Sequence, residues 1–187
     1  MKNEINRIAG RLVKAFNTNT VINPIPVKYC KNINLANKLR KLCEDQIKDE
    51  TIGIKAGGTG IQALKKLKEK EPFTAKVFKK RLVKSGQKVK INQHTKGIEV
   101  EVYYFIKKSF FDYKGKVTKS NVTKFIKFMG PCFEIVGFRQ RNKKFTYLGD
   151  ICGDFGFNIK FVVGRKTKFK KLNLNNLKTS LVSKKNG

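Results

Sequence analysis

Apolar residues in the first seventy positions recur at intervals of three and four, the spacing of one face of an α-helix. Helices are predicted over residues 3–16, 34–48 and 61–70. Between the first two helices, prolines require the stretch Ile22–Pro26 to be extended. A short strand is predicted at 51–56, and the glycines directly after it indicate a turn.

After residue 88 the apolar period changes to two, which is typical of β-strands. Strands are predicted at 98–106, 133–139 and 159–163, and a helix at 121–128. Helices first and strands later predict an α+β fold. A last packed segment is predicted from the residues Leu172, Leu174, Leu177 and Leu181.

The length fits one structural domain with a real hydrophobic core. Within it we expect three regions. They are an N-terminal helical region with a glycine-rich turn (1–70), a β-rich core (71–164) and a basic C-terminal segment (165–187).

The formal net charge is +30, from 43 Lys and Arg against 13 Asp and Glu. A surplus of this size repels itself and favours a polyanionic partner, of which nucleic acid is the usual one. An anionic membrane surface or an acidic protein partner stays open. No apolar stretch approaches the roughly 20 residues that span a bilayer, so no transmembrane segment is expected.

Three basic groups are predicted to contact the phosphates of RNA, in a way that is tolerant of sequence and sensitive to salt. Their members are Lys65, Lys66, Lys68, Lys79, Lys80, Arg81 and Lys84, then Arg139, Arg141, Lys143 and Lys144, then Arg165, Lys166, Lys168, Lys170 and Lys171.

The cysteine and histidine content limits which metal sites, disulfides and catalytic groups the chain can form. The four cysteines are scattered without paired spacing, which predicts buried reduced thiols rather than a zinc site or disulfides. His94 is the only histidine, which leaves little room for histidine-based catalysis. The first sixteen residues lack the apolar stretch of a secretory signal, and Glu4 argues against a cleaved mitochondrial import signal.

Two glutamates, Glu99 and Glu101, stand two apart on a predicted strand, so their side chains point to one face. Neighbouring like charges need a cation, or one group must take up a proton. Three carboxylates with water form a typical Mg²⁺ site. From spacing alone, however, an exposed and solvated pair is favoured.

Six blocks that together span nearly the whole chain match, in order, the motifs of one enzyme family. They are Ile22–Pro26, Ile52–Thr59, Glu71–Thr74, Ile98–Phe105, Pro131–Arg139 and Asp150–Gly164. They resemble the 2-keto-4-pentenoate hydratase and oxalocrotonate decarboxylase branch of the fumarylacetoacetate hydrolase superfamily. The resemblance implies N-terminal helices followed by a β-roll.

The resemblance also implies site residues. Glu99, Glu101 and Glu134 match the family's three carboxylate metal ligands, and Lys55 matches the lysine near the keto acid of the substrate. In active members the metal binds a 2-oxo acid and stabilises an enolate, a Lewis-acid role.

The chain departs from the family at several positions. Lys79 stands in the place of a proton-transferring aspartate, and Gly137 also replaces an aspartate. Phe155 and Phe157 replace polar residues, so we expect them to fill the substrate cavity. The sequence ends about where the family continues into its last strands, so the roll is expected to be incomplete.

These departures, taken with the charge, lead to the hypothesis of a catalytically inactive protein. According to this hypothesis, the chain is a basic, rRNA-binding component of a mitochondrial ribosome in the matrix, with rRNA and neighbouring ribosomal proteins as partners. No cofactor is required, Lys55 is vestigial, and Mg²⁺ remains an option at the three glutamates. A partner chain that completes the β-roll is a further expectation.

Two alternatives remain. One is an active Mg²⁺-dependent hydratase or decarboxylase of small 2-oxo acids. The other is a scaffold subunit of a membrane-bound assembly.

Overall fold

The computed structural model describes residues 2–91, 94–171, 178–180 and 182. Its helices are α1 (Lys2–Thr18), α2 (Lys28–Lys31), α3 (Ile33–Asp45), α4 (Ile61–Leu67) and α5 (Leu148–Cys152). Its strands are β1 (Thr51–Gly57), β2 (Phe73–Phe78), β3 (Leu82–Lys84), β4 (Thr95–Ile106), β5 (Ile126–Gly137), β6 (Asn158–Val163) and β7 (Thr167–Lys168). The packed segment predicted at Leu172, Leu174, Leu177 and Leu181 lies outside the described residues.

Helices α1 and α3 pack together and form much of the main hydrophobic core, as their apolar spacing predicts. Leu12 of α1 and Leu39 of α3 are fully buried in this core, beside Tyr29 of α2. The side chain of Asn32 accepts hydrogen bonds from two backbone N–H groups in the first turn of α3 and so begins that helix. The stretch that contains Ile22 follows α1, and its backbone is hydrogen-bonded to the backbone at residues 139 and 141.

Strands β1 and β2 form a two-stranded antiparallel sheet in which Lys55 lies opposite Ala75. Phe73, Ala75 and Phe78 of β2 are buried. This strand was not predicted, because the run Phe73–Phe78 lies inside the most basic part of the chain.

The larger sheet has five strands among the described residues, in the order β3-β6-β5-β4, with β7 also paired to β5. Strands β4 and β5 are antiparallel, and Glu99 lies directly opposite Glu134. The helix predicted at 121–128 is wrong: a single 3₁₀ turn (Val122–Phe125) leads straight into β5. Cross-strand pairing extends to Ile126, opposite Ile106, and outweighs the short helical pattern.

The two faces of this sheet differ in chemistry. Glu99 and Glu101 alternate with Ile98 and Val100 along β4, so carboxylates and apolar side chains point to opposite sides. On the apolar side, Ile98, Val100 and Phe133 remain 45, 38 and 40% exposed. That a partner chain completes the roll over this face stays a prediction. In the described part of the chain, no helix combines the length and apolarity needed to cross a bilayer.

Candidate metal centre and adjoining cavity

Three carboxylates converge on one face of the larger sheet, where Glu99 and Glu101 are exposed and Glu134 is buried. Glu99 and Glu101 project from β4, and Glu134 projects from β5 directly opposite Glu99. One oxygen from each carboxylate lies within 4.8 Å of the others. This is the spacing of oxygens around one hard cation, whose ligand distances are about 2.1 Å for Mg²⁺ and about 2.3–2.6 Å for Ca²⁺. The donor set therefore fits a divalent metal.

Lys55 on β1 completes the cluster from the neighbouring sheet. Its Nζ donates to both Glu134 oxygens, at 2.6 and 2.8 Å, and to the carbonyl oxygen of Gly156 at 2.9 Å. The side chains of Lys55 and Glu134 are 10 and 2% exposed. With all four groups ionised, one ammonium group against three carboxylates leaves a local charge that a divalent cation would neutralise.

Burial changes the pKa values of two carboxyl groups in this cluster. Burial raises the pKa of Glu134 to about 7; Lys55 opposes this rise, whereas the charges of Glu99 and Glu101 add to it. Burial and then the charge of Glu99 also raise the pKa of Glu101. Both shifts arise first from burial and then from neighbouring negative charge, and a divalent cation bound to these carboxylates would oppose them.

A cavity of about 280 Å³ adjoins the carboxylates. It is lined by Lys55, Ala56, Gly57, Gly58, Thr59, Glu99, Glu101, Ile151 and Phe157. The glycine-rich turn predicted after β1 thus forms part of its wall. A cavity of this size suits a small organic acid rather than a bulky cofactor.

The expectation that bulky residues fill this cavity is wrong. Phe155 turns away from it into the main core, where its ring packs 4.5 Å from that of Phe16. Phe157 does reach the cavity, but as one wall of it. Both residues adopt positive φ, at 53° and 70°, on either side of Gly156 at 67°. This unusual backbone sends the two rings in different directions.

Lys79 does not bring a second cation into the cluster. Its side chain is exposed and binds Glu50 at 2.6 Å. Lys160 on β6 also bonds elsewhere, because its Nζ donates to the carbonyl oxygen of Lys80. The replacement of an aspartate by Lys79 therefore leaves the carboxylates and the cavity intact.

Of the sixteen residues predicted to contact RNA, Arg81 and Arg139 are buried in the fold and Lys143 is half-buried. Arg139 pairs with Asp154 at 3.2 Å, and Lys143 pairs with Asp150 at 2.7 Å. The guanidinium group of Arg81 lies 3.7 Å from the centre of the Phe16 ring. The other thirteen are exposed. A block of basic residues in a sequence therefore mixes structural partners with surface charges.

Comparisons with known proteins agree with this geometry at the level of the fold. No protein-family model matches the chain, and no curated protein matches it by sequence. Solved structures of 4-oxalocrotonate decarboxylase from Pseudomonas putida G7 do match. The form complexed with magnesium and adipate superposes with a TM-score of 0.69 at 15% identity, over 90% of this chain and 65% of that chain.

The form of the same enzyme complexed with calcium and acetate gives a TM-score of 0.72 at 16% identity, over 90% of this chain and 64% of that chain. The chain has the fold of this decarboxylase. It spans less than two thirds of the enzyme's length. The resemblance seen in the six sequence blocks and the α+β fold with an incomplete β-roll are therefore confirmed.

The hypothesis of an inactive, rRNA-binding ribosomal protein is wrong, and so is the expectation that the chain is not an enzyme. The solved structures that it matches are those of an enzyme complexed with magnesium or calcium. Net charge is an argument about solubility and association rather than about fold or chemistry, which is why it misled here. The ribosomal and mitochondrial description has no support in the fold, and the location in the matrix stays untested.

Sequence reasoning missed three residues of the site. Ile151 lines the cavity from α5, Thr59 lines it from the glycine-rich turn, and Gly156 supplies the carbonyl that Lys55 contacts. All three lie within the sequence blocks that resemble the enzyme family, so that resemblance was the signal that could have identified them. Their side chains carry no pattern that points to a site.

Proposed function

We propose that this protein is a Mg²⁺-dependent hydratase or decarboxylase that acts on small 2-oxo acids. The observation that carries the proposal is the convergence of Glu99, Glu101 and Glu134 beside Lys55 at the wall of a half-closed cavity. Glu134 is buried and lies opposite Glu99, so a divalent cation bound here would remove the repulsion between these like charges. The fold shared with the decarboxylase supports the same assignment.

The three glutamates would hold the cation, which when bound supplies a Lewis acid for an enolate. Lys55 lines the cavity, and it would hold a substrate oxygen in place of one of the contacts that its ammonium group makes to Glu134 and Gly156. Gly57 and Gly58 contribute backbone to the cavity wall, and the space that a Cβ would need at each is occupied by Phe73 and Leu148. Ile151 and Phe157 reduce the amount of water in the cavity, which strengthens every charged contact inside it.

The test uses a reaction that hydration and decarboxylation share, the metal-dependent enolisation of a 2-oxo acid. Exchange of the C3 protons of 2-oxopentanoate for deuterium is followed by NMR, with and without Mg²⁺, and Mg²⁺ binding is measured by calorimetry. We expect exchange that depends on Mg²⁺ and is lost when Glu99 and Glu101 are both replaced by Gln.

The control is Glu50→Gln, which removes one negative charge from an exposed glutamate that pairs with Lys79. It should leave both binding and exchange unchanged. A wild-type protein that binds Mg²⁺ no more tightly than the double variant would refute the proposal.

A further inference from the structure

The wall of the cavity beyond the metal centre is uncharged. Among the described residues that line it, the charged ones are Lys55, Glu99 and Glu101. The remainder are Ala56, Gly57, Gly58, Thr59, Ile151 and Phe157. Apart from the Thr59 hydroxyl, no side chain in this second group can hydrogen-bond, and none can pair with a negative charge.

Lys55 has little capacity left for a second anion. Its ammonium group carries three N–H donors, and contacts to Glu134 Oε1, Glu134 Oε2 and the carbonyl oxygen of Gly156 already occupy them. A ligand oxygen can replace one of these contacts. A second carboxylate at the far end of the same ligand would find no other cation among the described residues that line the cavity.

The charge balance leads to the same result. A divalent cation neutralises the cluster formed by the three glutamates and Lys55, so the 2-oxo acid carboxylate brings the site to one negative charge. A further carboxylate would double that charge inside a half-closed cavity, where an unpaired ion loses its hydration without compensation.

The apolar part of the wall is held in place. The Phe157 ring packs 4.5 Å from the ring of Phe138, which is buried. Ile151 is half-buried on α5, which is itself anchored because Asp150 accepts hydrogen bonds from the backbone at residues 146 and 147. A fixed apolar wall gains from each methylene group that it removes from water.

From these observations we infer that the cavity takes a 2-oxo acid with an uncharged, apolar tail and discriminates against dicarboxylates, with Phe157 and Ile151 as the specificity-determining residues. The inference rests on the proposed function for the 2-oxo acid end of the ligand. It sets this chain apart from the decarboxylase with the same fold, which is solved with the dicarboxylate adipate.

The experiment compares pairs of acids of equal carbon number. These are 2-oxopentanoate with 2-oxopentanedioate, and 2-oxohexanoate with 2-oxohexanedioate. Binding to the Mg²⁺-loaded protein is measured by calorimetry and turnover by C3 deuterium exchange, at an ionic strength that screens the net charge of the chain. We expect the monocarboxylate of each pair to bind about tenfold or more tightly than its partner, and affinity to rise about fourfold per added methylene group.

Phe157→Arg should reverse the preference, because it places a cation in the apolar wall. Its matched control is Phe111→Arg, which adds the same charge at a phenylalanine that is 73% exposed and outside the cavity lining. The control should keep the wild-type preference. Ile151→Lys tests the same wall from α5 if the first variant does not fold.

The outcomes separate the two proposals. Exchange with dicarboxylates equal to or faster than with monocarboxylates overturns the inference and leaves the proposed function standing. Preferential binding of monocarboxylates without Mg²⁺-dependent exchange supports the inference and overturns the proposed function. An absence of binding by any of the four acids overturns both.

Discussion

The Lys55→Met substitution tests the cluster most directly, because it removes a charge while keeping the length of an unbranched side chain. Nζ contacts both oxygens of Glu134, so a cation on the same carboxylate would lie about 5 Å or less from this ammonium group. At an effective dielectric constant of about 20, a unit charge and a divalent cation at that separation repel by about 7 kcal/mol. Lys55 would thus oppose metal binding, although in the proposed function it also holds the substrate.

Part of this repulsion disappears when the lysine side chain moves aside, so the full value is an upper bound. We expect Lys55→Met to tighten Mg²⁺ binding by about tenfold or more, equivalent to about 1.4 kcal/mol, and to abolish the metal-dependent exchange of 2-oxopentanoate. Titration calorimetry gives the first quantity and NMR the second. Tighter metal binding together with lost turnover is an outcome that a merely structural lysine would not produce.

Lys79→Met is the matched control, since it removes the same charge from an exposed lysine that pairs with Glu50. It should change neither Mg²⁺ affinity nor exchange. Unchanged or weaker Mg²⁺ binding by Lys55→Met would refute the reasoning, because it would mean that Lys55 does not compete with the cation for Glu134.

Mg²⁺ affinity should rise about tenfold per pH unit up to about pH 7 and level off above it, because the pKa of Glu134 is about 7 and its protonated form cannot hold the cation; calorimetry between pH 5.5 and 8 checks this. In the metal-free protein the same raised pKa makes the folded state hold more protons than the unfolded state, so the contribution of Glu134 to stability falls as pH rises through this window. Asp154→Ala should lower the free energy of unfolding by about 3–5 kcal/mol, since it strands a buried arginine; the exposed Asp112→Ala should change it by less than about 0.5 kcal/mol in the same denaturant titration. Gly137→Ala should destabilise by about 1–3 kcal/mol because its Cβ would collide with a backbone carbonyl, whereas Gly10→Ala meets open space within a helix and should stabilise by about 0.5–1 kcal/mol. Equal effects for the two members of either pair would contradict the assigned packing.

The long helices α1 and α3 were predictable from the sequence, because the local spacing of their apolar residues already favours a helix and tertiary packing only reinforces it. Segments whose conformation depends on distant partners were not. The short strand Phe73–Phe78 exists because it pairs with Thr51–Gly57, and the stretch 126–128 is a strand because β4 lies beside it.

The site could be predicted in part. Spacing placed Glu99 and Glu101 on one face and favoured an exposed pair, and both are exposed. The resemblance alone brought in Glu134 and Lys55. The contact between those last two joins residues 79 positions apart, which no local pattern encodes. The direction of the Phe155 side chain depends on a positive φ, which sequence reasoning does not predict for phenylalanine.

The direct opposition of Glu99 and Glu134 across two strands ties ligand geometry to strand alignment. A slip of one residue between these strands would rotate Glu99 and Glu101 to the far side of the sheet. A cation would therefore bind at this centre only when the two strands are correctly aligned. Because binding stabilises the form that binds, the cation would increase the fraction of native molecules. Depletion of that cation would then lower the fraction of molecules that fold with the native strand alignment.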